Sequence, residues 1–149
     1  MIQEISLTSI KQNIKKEQRL LAIDMSKKHL GLAISNPELS IAFPYKTIIR
    51  TKFLQDMKTL QEIIKKEQIF ALIIGYPLNN IGEDNSRTQS VKDFTLDLQK
   101  VIAIPCYFQD ERFSTYAVQQ QGIKNIKKNN DDQAAAWFLQ IVLDKLQRL

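Results

Sequence analysis

One cysteine and one histidine stand among the 149 residues of this chain. The lone thiol, Cys106, excludes an internal disulfide framework and a cysteine-rich metal site. It lies in the apolar run Ile104-Pro105-Cys106-Tyr107-Phe108, the setting of a buried, inert thiol rather than a nucleophile. His29 falls in or beside a turn and is not assigned as a general base. No stretch approaches the roughly 18 uninterrupted apolar residues that span a bilayer, so no membrane partner is expected. The N-terminus lacks the apolar core of a secretory signal, which makes the cytoplasm the expected compartment. Internal repeats and low-complexity tracts are absent. So are a P-loop and a G-x-G-x-x-G, which removes the common phosphate-cradling loops.

What is present suits one compact domain, with 44% apolar and 25% charged residues. Twenty-one Lys and Arg against sixteen Asp and Glu leave a net charge of +5. That excess fits a polyanionic partner, although solubility alone accommodates it. The chain is organised around residues 20–35, where two short branched apolar runs flank the turn Ser26-Lys27-Lys28. They read as a β-hairpin, with Asp24 closing its first strand. Before it, Ile5, Leu7, Ile10 and Ile14 have helical spacing, so residues 1–19 read as a basic extension holding a short amphipathic surface helix. After it, Pro44 marks entry to a third strand, Tyr45–Ile49, and Thr51 fits a helix N-cap. Phe53, Leu54, Met57, Leu60, Ile63 and Ile64 share one face of the helix that follows.

The run Ile69–Ile74 is apolar throughout, as expected of a parallel strand buried on both faces. It ends in a long loop, Gly75 to Ser86, at the strand end where α/β proteins place ligands. A second helix is expected from Arg87 to Lys100 and a last strand from Ile104 to Gln109, ending in Asp110-Glu111-Arg112. Ser114 or Thr115 caps a further helix through Gln121, closed by Gly122. The last helix opens on Asn129-Asn130-Asp131-Asp132, with Ala134, Ala135, Phe138, Leu139, Val142, Leu143 and Leu146 on its apolar face. The order ββ-β-α-β-α-β-α-α implies an α/β fold, a mixed sheet with helices on both sides.

Acids therefore stand at three stations: Asp24, Asp110-Glu111 and Asp131-Asp132. Each has a plain explanation, as turn former, strand-end residue beside Arg112, or helix N-cap. Brought together, they would raise one another's pKa unless a cation sat among them. Hard carboxylate oxygens suit Mg²⁺ or Mn²⁺, and two such ions about 3.5–4 Å apart clamp a phosphodiester for hydrolysis.

The segments 24–35 (DMSKKHLGLAIS), 73–79 (IIGYPLN), 110–115 (DERFST) and 131–136 (DDQAAA) resemble, in order, the motifs of the YqgF/RuvX family. These are RNase H-like, Holliday-junction resolvase-like bacterial nucleases, and the likeness runs from about residue 20 to the final helix. It implies an RNase H-like five-stranded sheet over 20–149, Mg²⁺ or Mn²⁺ in a two-metal site, and cleavage leaving a 5′-phosphate. It also implies a role in maturing the 5′ end of small-subunit ribosomal RNA, with pre-rRNA, the small-subunit precursor and branched DNA as candidate partners of a monomer or homodimer. Carried over by motif, the catalytic and metal-binding acids are Asp24, Glu111 and Asp131, with Asp110 and Asp132 as their substitutes. Alternation along a strand turns residues 110 and 111 to opposite sides, so one of them faces the site. Candidate substrate contacts are Lys27, Lys28, Asn79, Lys124, Lys127 and Lys128. Arg112 either binds phosphate or holds Glu111 in place. Ser26 stands where the family has Gly, Asn36 where it has Asp, and Phe113 where it has Leu.

Two other functions use parts of the same sequence. A non-catalytic nucleic-acid-binding or ribosome-assembly factor needs the basic surface but no metal. A sugar-kinase or actin-like ATPase also begins a phosphate loop with an acid on a hairpin, but needs two domains around its nucleotide.

Overall fold

The computed structural model describes residues 1–112 and 131–149. The helix expected through Gln121 and the candidates Lys124, Lys127 and Lys128 lie outside the described residues, as does Phe113. In chain order the elements are α1 (Leu7–Asn13), β1 (Arg19–Met25), β2 (His29–Ser35), β3 (Ala42–Ile49) and α2 (Phe53–Lys66). They continue with β4 (Ile69–Tyr76), α3 (Ser86–Val101), β5 (Cys106–Asp110) and α4 (Asp131–Gln147).

The strands form one sheet in the order β3-β2-β1-β4-β5. Antiparallel pairing joins β1 to β2 and β2 to β3, while β4 runs parallel to both β1 and β5. This is the mixed sheet expected from the element order. Because β1, β4 and β5 are parallel, their carboxyl ends share one edge, the edge that carries ligands in such sheets.

Side-chain alternation divides the core in two. On one face Leu21, Ile23, Leu32, Leu72 and Ile74 pack beneath Met57 and Leu60 of α2 and Val91 and Leu98 of α3. On the other, Leu20, Ala22, Ala33, Ala71 and Ile73 lie against Phe138, Leu139, Val142 and Leu143 of α4. The small residues on that second face let α4 sit close to the sheet, in keeping with its alanine-rich first turns.

Four local expectations are corrected. β3 begins three residues earlier than expected and contains Pro44, at a register shift between Leu32 and Ala33. An edge strand tolerates proline there because one side of its ladder has no partner. Thr51 does not cap α2: its N–H and hydroxyl both donate to Asp56, and Lys52 occupies the cap position without a side-chain bond. β5 starts at Cys106 rather than Ile104. Residues 1–19 hold more than a surface helix. Ile5 and Gln3 bond the backbone of Cys106 on the open edge of β5, and Ile10 is wholly buried beside α4.

One contact fixes where α4 begins. A Cβ built on Gly31 of β2 would stand 2.2 Å from the backbone carbonyl carbon of Asp131. Backbone cannot yield as a flexible side chain does, so Gly31→Ala must push the start of α4 off the sheet. We expect a loss of about 1–3 kcal/mol in denaturant unfolding, the usual cost of overpacking. The same substitution at Gly82, whose imagined Cβ meets only the Arg112 guanidinium at 3.1 Å, strains a positive φ of 83° instead.

Candidate active site

Asp24 is the penultimate residue of β1 and pairs with Gly31 of β2. One step beyond the Ile23–Ile74 pair, it stands beside Gly75 of β4. All three belong to the α4 face, since Ala22, Ala33 and Ile73 on that face precede or follow them by two. Neither neighbour of Asp24 therefore carries a side chain, and both spaces are filled. The backbone of Asp131 takes the space over Gly31. The space over Gly75 holds the Glu111 carboxylate, whose Oε2 is 2.3 Å from where a Cβ would be, with the Phe138 ring behind it. Two glycine clearings thus admit the second and third acids to the first.

The same alternation decides between the paired acids. Glu111 follows β5 on the α4 face and lines a cleft of about 280 Å³ together with Asp24 and Asp131. Asp110 is turned away: its carboxylate accepts the Arg112 backbone N–H at 2.9 Å and Arg112 Nε at 2.7 Å. Arg112 therefore holds Asp110 and not Glu111, a correction to the pairing expected from sequence. Asp132 accepts the backbone N–H of Gln133 at 2.9 Å and is not in the cleft wall.

Glu111 is nearly enclosed, with a side-chain exposure of 10%, and its Oε2 is buried with no hydrogen-bond partner. Among the described residues, the cation paired with it is Arg87, in the first turn of α3, whose Nη2 lies 3.9 Å from the carboxylate. Asp131 has His29 as its neighbour, Nδ1 to Oδ2 at 4.0 Å. Burial drives the Asp24 carboxyl well above the ordinary range, and the adjoining Glu111 and then Asp131 push it further. Burial raises Glu111 as well, against the pull of Asp24 contact and of Arg87. Asp131 is raised by burial and partly relieved by His29. Among the described residues, no three His, Cys, Asp or Glu side chains are gathered closely enough to ligate a metal as they stand. The chemistry of the donor set nevertheless fits a hard cation. An orphaned buried carboxylate oxygen beside a second desolvated carboxyl is what a divalent ion satisfies.

The remaining candidates have mixed placements. Asn79 spends its side-chain oxygen on the N–H groups of Ile81 and Glu83, shaping the loop after β4, while Asn80 lines the cleft. Lys27 and Lys28 are exposed in the β1–β2 turn. That turn is held by Ser26, whose hydroxyl accepts the His29 N–H at 3.1 Å, a side-chain solution at the position where the family has glycine. Asn36 shapes the exit from β2, its oxygen accepting from Ser40 and Ile41. Sequence reasoning missed Gly31, Gly75 and Arg87. The glycine of Ile73-Ile74-Gly75 interrupts an apolar strand, a signal of close approach that was open to reading.

The acid on the central strand, the acid just past β5 two strands away and the acid opening the covering helix are carried by a five-stranded mixed sheet of the RNase H-like class. The fold agrees with that class. RuvC of T. thermophilus in complex with Holliday junction substrate superposes with a TM-score of 0.58, at 10% identity, over 88% of this chain and 94% of that one. Residues 18–145 match the model of the family RuvX, described as Holliday junction resolvase, and the chain belongs to that family. Among its relatives is a protein of Methylocella silvestris named "Putative pre-16S rRNA nuclease". It is 41% identical over 89% of this chain and 86% of its own length. A Rickettsia rickettsii protein of the same name is 40% identical over 87% and 88%.

The raised carboxyls make a stability prediction with a definite sign. Asp24 and Glu111 hold protons in the folded chain at a pH where the unfolded chain has released them. Stability is therefore lost as pH rises from the unfolded values through the folded ones. Without metal, Asp24→Asn should melt higher than the native chain at neutral pH, and the gap should shrink as the solution is acidified. Thermal unfolding in a chelator between about pH 5 and 8 measures it. A constant gap across that range would contradict the buried-pair description.

Proposed function

We propose that this protein is a divalent-metal-dependent endonuclease that trims the 5′ extension of pre-16S rRNA in the cytoplasm. The observation that carries this is the desolvated Asp24–Glu111 pair, with its unbonded Glu111 oxygen, meeting Asp131 at the carboxyl edge of the parallel strands. The names of its relatives supply the substrate class. Asp24, Glu111 and Asp131 would hold Mg²⁺ or Mn²⁺, with Asp24 central because it lies between the other two. A pair of such ions supplies a nucleophilic water near neutral pH and offsets charge on the leaving oxygen.

The protein's own groups do the rest. Partial burial on the α4 face desolvates the two carboxyls, and Phe138 packs behind Gly75 beside the Glu111 carboxylate. Arg87 and Arg112 line the cleft and offer guanidinium groups to the phosphates flanking the scissile bond. Lys27 and Lys28 extend from the turn next to Asp24 as sequence-independent phosphate contacts, and Lys124, Lys127, Lys128 and Asn79 are assigned the same role. The precursor of the small ribosomal subunit is the expected partner, and the chain acts as a monomer or homodimer.

The test is cleavage of a 5′-extended pre-16S fragment by purified protein with Mn²⁺ or Mg²⁺. A chelator should abolish it. Asp24→Asn and Glu111→Gln should each reduce the rate by at least about a hundredfold, since removing even the outer partners of metal ligands costs ~10–100-fold. Undiminished cleavage by either variant would place the chemistry elsewhere.

A further inference from the structure

Beyond the acids, a second groove of about 640 Å³ lies between α3 on one side and the β1–β2 turn, Arg50 and the first residue of α2 on the other. Its volume falls among sites that enclose small organic ligands, roughly 300–1,000 Å³. It opens into the catalytic cleft, since Met25, Ser26, Pro77 and Arg87 line both. The floor is apolar and aromatic: Phe53 and Phe94 meet edge to face with centroids 6.2 Å apart, and Val91 lies beside them. Lys27, Arg50 and Arg87 supply positive charge, and Asp93 and Asp97 supply negative charge. The Arg50 guanidinium lies over the Phe94 ring at 5.2 Å and donates to the Ser26 carbonyl at 2.7 Å, so its plane is fixed from both sides.

We propose that this groove seats a single unpaired nucleotide of the substrate strand, adjacent to the phosphate held at the acids. The inference rests on the nuclease reading for its substrate class. Unpaired bases are recognised by stacking on aromatic rings or Arg planes, and phosphates by cations. The groove offers both, the half-buried Phe53 ring and the Arg50 guanidinium for a base and Lys27 and Arg87 for phosphate, in continuity with the cleft. The aspartates limit the footprint, because a further phosphate placed against Asp93 and Asp97 would be repelled. A duplex does not fit this description: its bases stack on each other and leave the aromatic floor unused.

The test is an abasic scan. A single-stranded RNA carrying an abasic residue at successive positions is bound to the full chain with Ca²⁺ in place of Mn²⁺, and affinity is read by fluorescence anisotropy. One position should cost about tenfold in affinity, the scale of one lost base–aromatic stack. In Ser90→Trp, which fills the groove from α3, intact and abasic strands should bind alike. Phe53→Ala, which removes one ring of the floor, should shrink the same ratio and serves if the tryptophan variant unfolds. A scan with no sensitive position, or a penalty unchanged in the variants, would overturn the proposal. Metal-dependent cleavage of the pre-16S fragment alongside a flat scan would refute the groove alone. A groove-dependent scan without cleavage would refute the nuclease reading alone.

Discussion

Three acids occupy one corner of this fold because the strands on either side of Asp24 carry no side chain there. Like charges repel, and a carboxylate leaving water loses solvation that nothing apolar returns. The chain nevertheless places the start of α4 over Gly31 and the Glu111 carboxylate over Gly75. Any side chain at either glycine would hold one acid away. The geometry is thus imposed by packing, against the preference of the charges themselves. Arg87 relieves Glu111 only from a distance, with its own side chain 69% exposed.

A corner assembled against electrostatics has to be held by the rest of the molecule. The holding is done by α4, whose Phe138, Leu139, Val142 and Leu143 are wholly buried against the small-residue face of the sheet. Asp131 is the first residue of that helix, so the apolar contacts of later turns set the position of its carboxylate. Phe138 belongs to both structures at once, lying in the core and behind the Glu111 clearing. Carboxyls crowded and desolvated in this way are relieved either by holding a proton or by a neighbouring cation.

Much of this was legible before any coordinates. The hairpin of β1 and β2, the apolar β4 and the faces of α2 and α4 follow from periodicity, because each buries a stripe repeated at the period of its element. Alternation along β5 separates Glu111 from Asp110 once Cys106 and Phe108 are known to face α2 and α3. The misses are of another kind. That Arg112 turns back to Asp110, that Asp56 claims Thr51, and that residues 3–5 close the edge of β5 each depend on side-chain direction or on a distant partner. Clearance over a glycine leaves no periodic trace. Gly31 and Gly75 have meaning only after residues far along the chain are seen to fill the space above them.

The turn between β1 and β2 joins the two recesses, and its bonding shows how. Asp24 faces the acids, and two residues later the Ser26 carbonyl accepts from Arg50, the residue that follows β3. The Arg50 backbone N–H in turn donates to the Lys28 carbonyl at 2.8 Å. The turn that follows Asp24 is therefore held at two points by Arg50, once through its backbone N–H and once through a guanidinium that also lies over the Phe94 ring of the groove's floor. Whatever occupies that floor bears on the same arginine that fixes the main chain beside Asp24. The groove and the strand end that bears the central acid thus meet at one side chain, and the two recesses share Met25, Ser26, Pro77 and Arg87 as common walls.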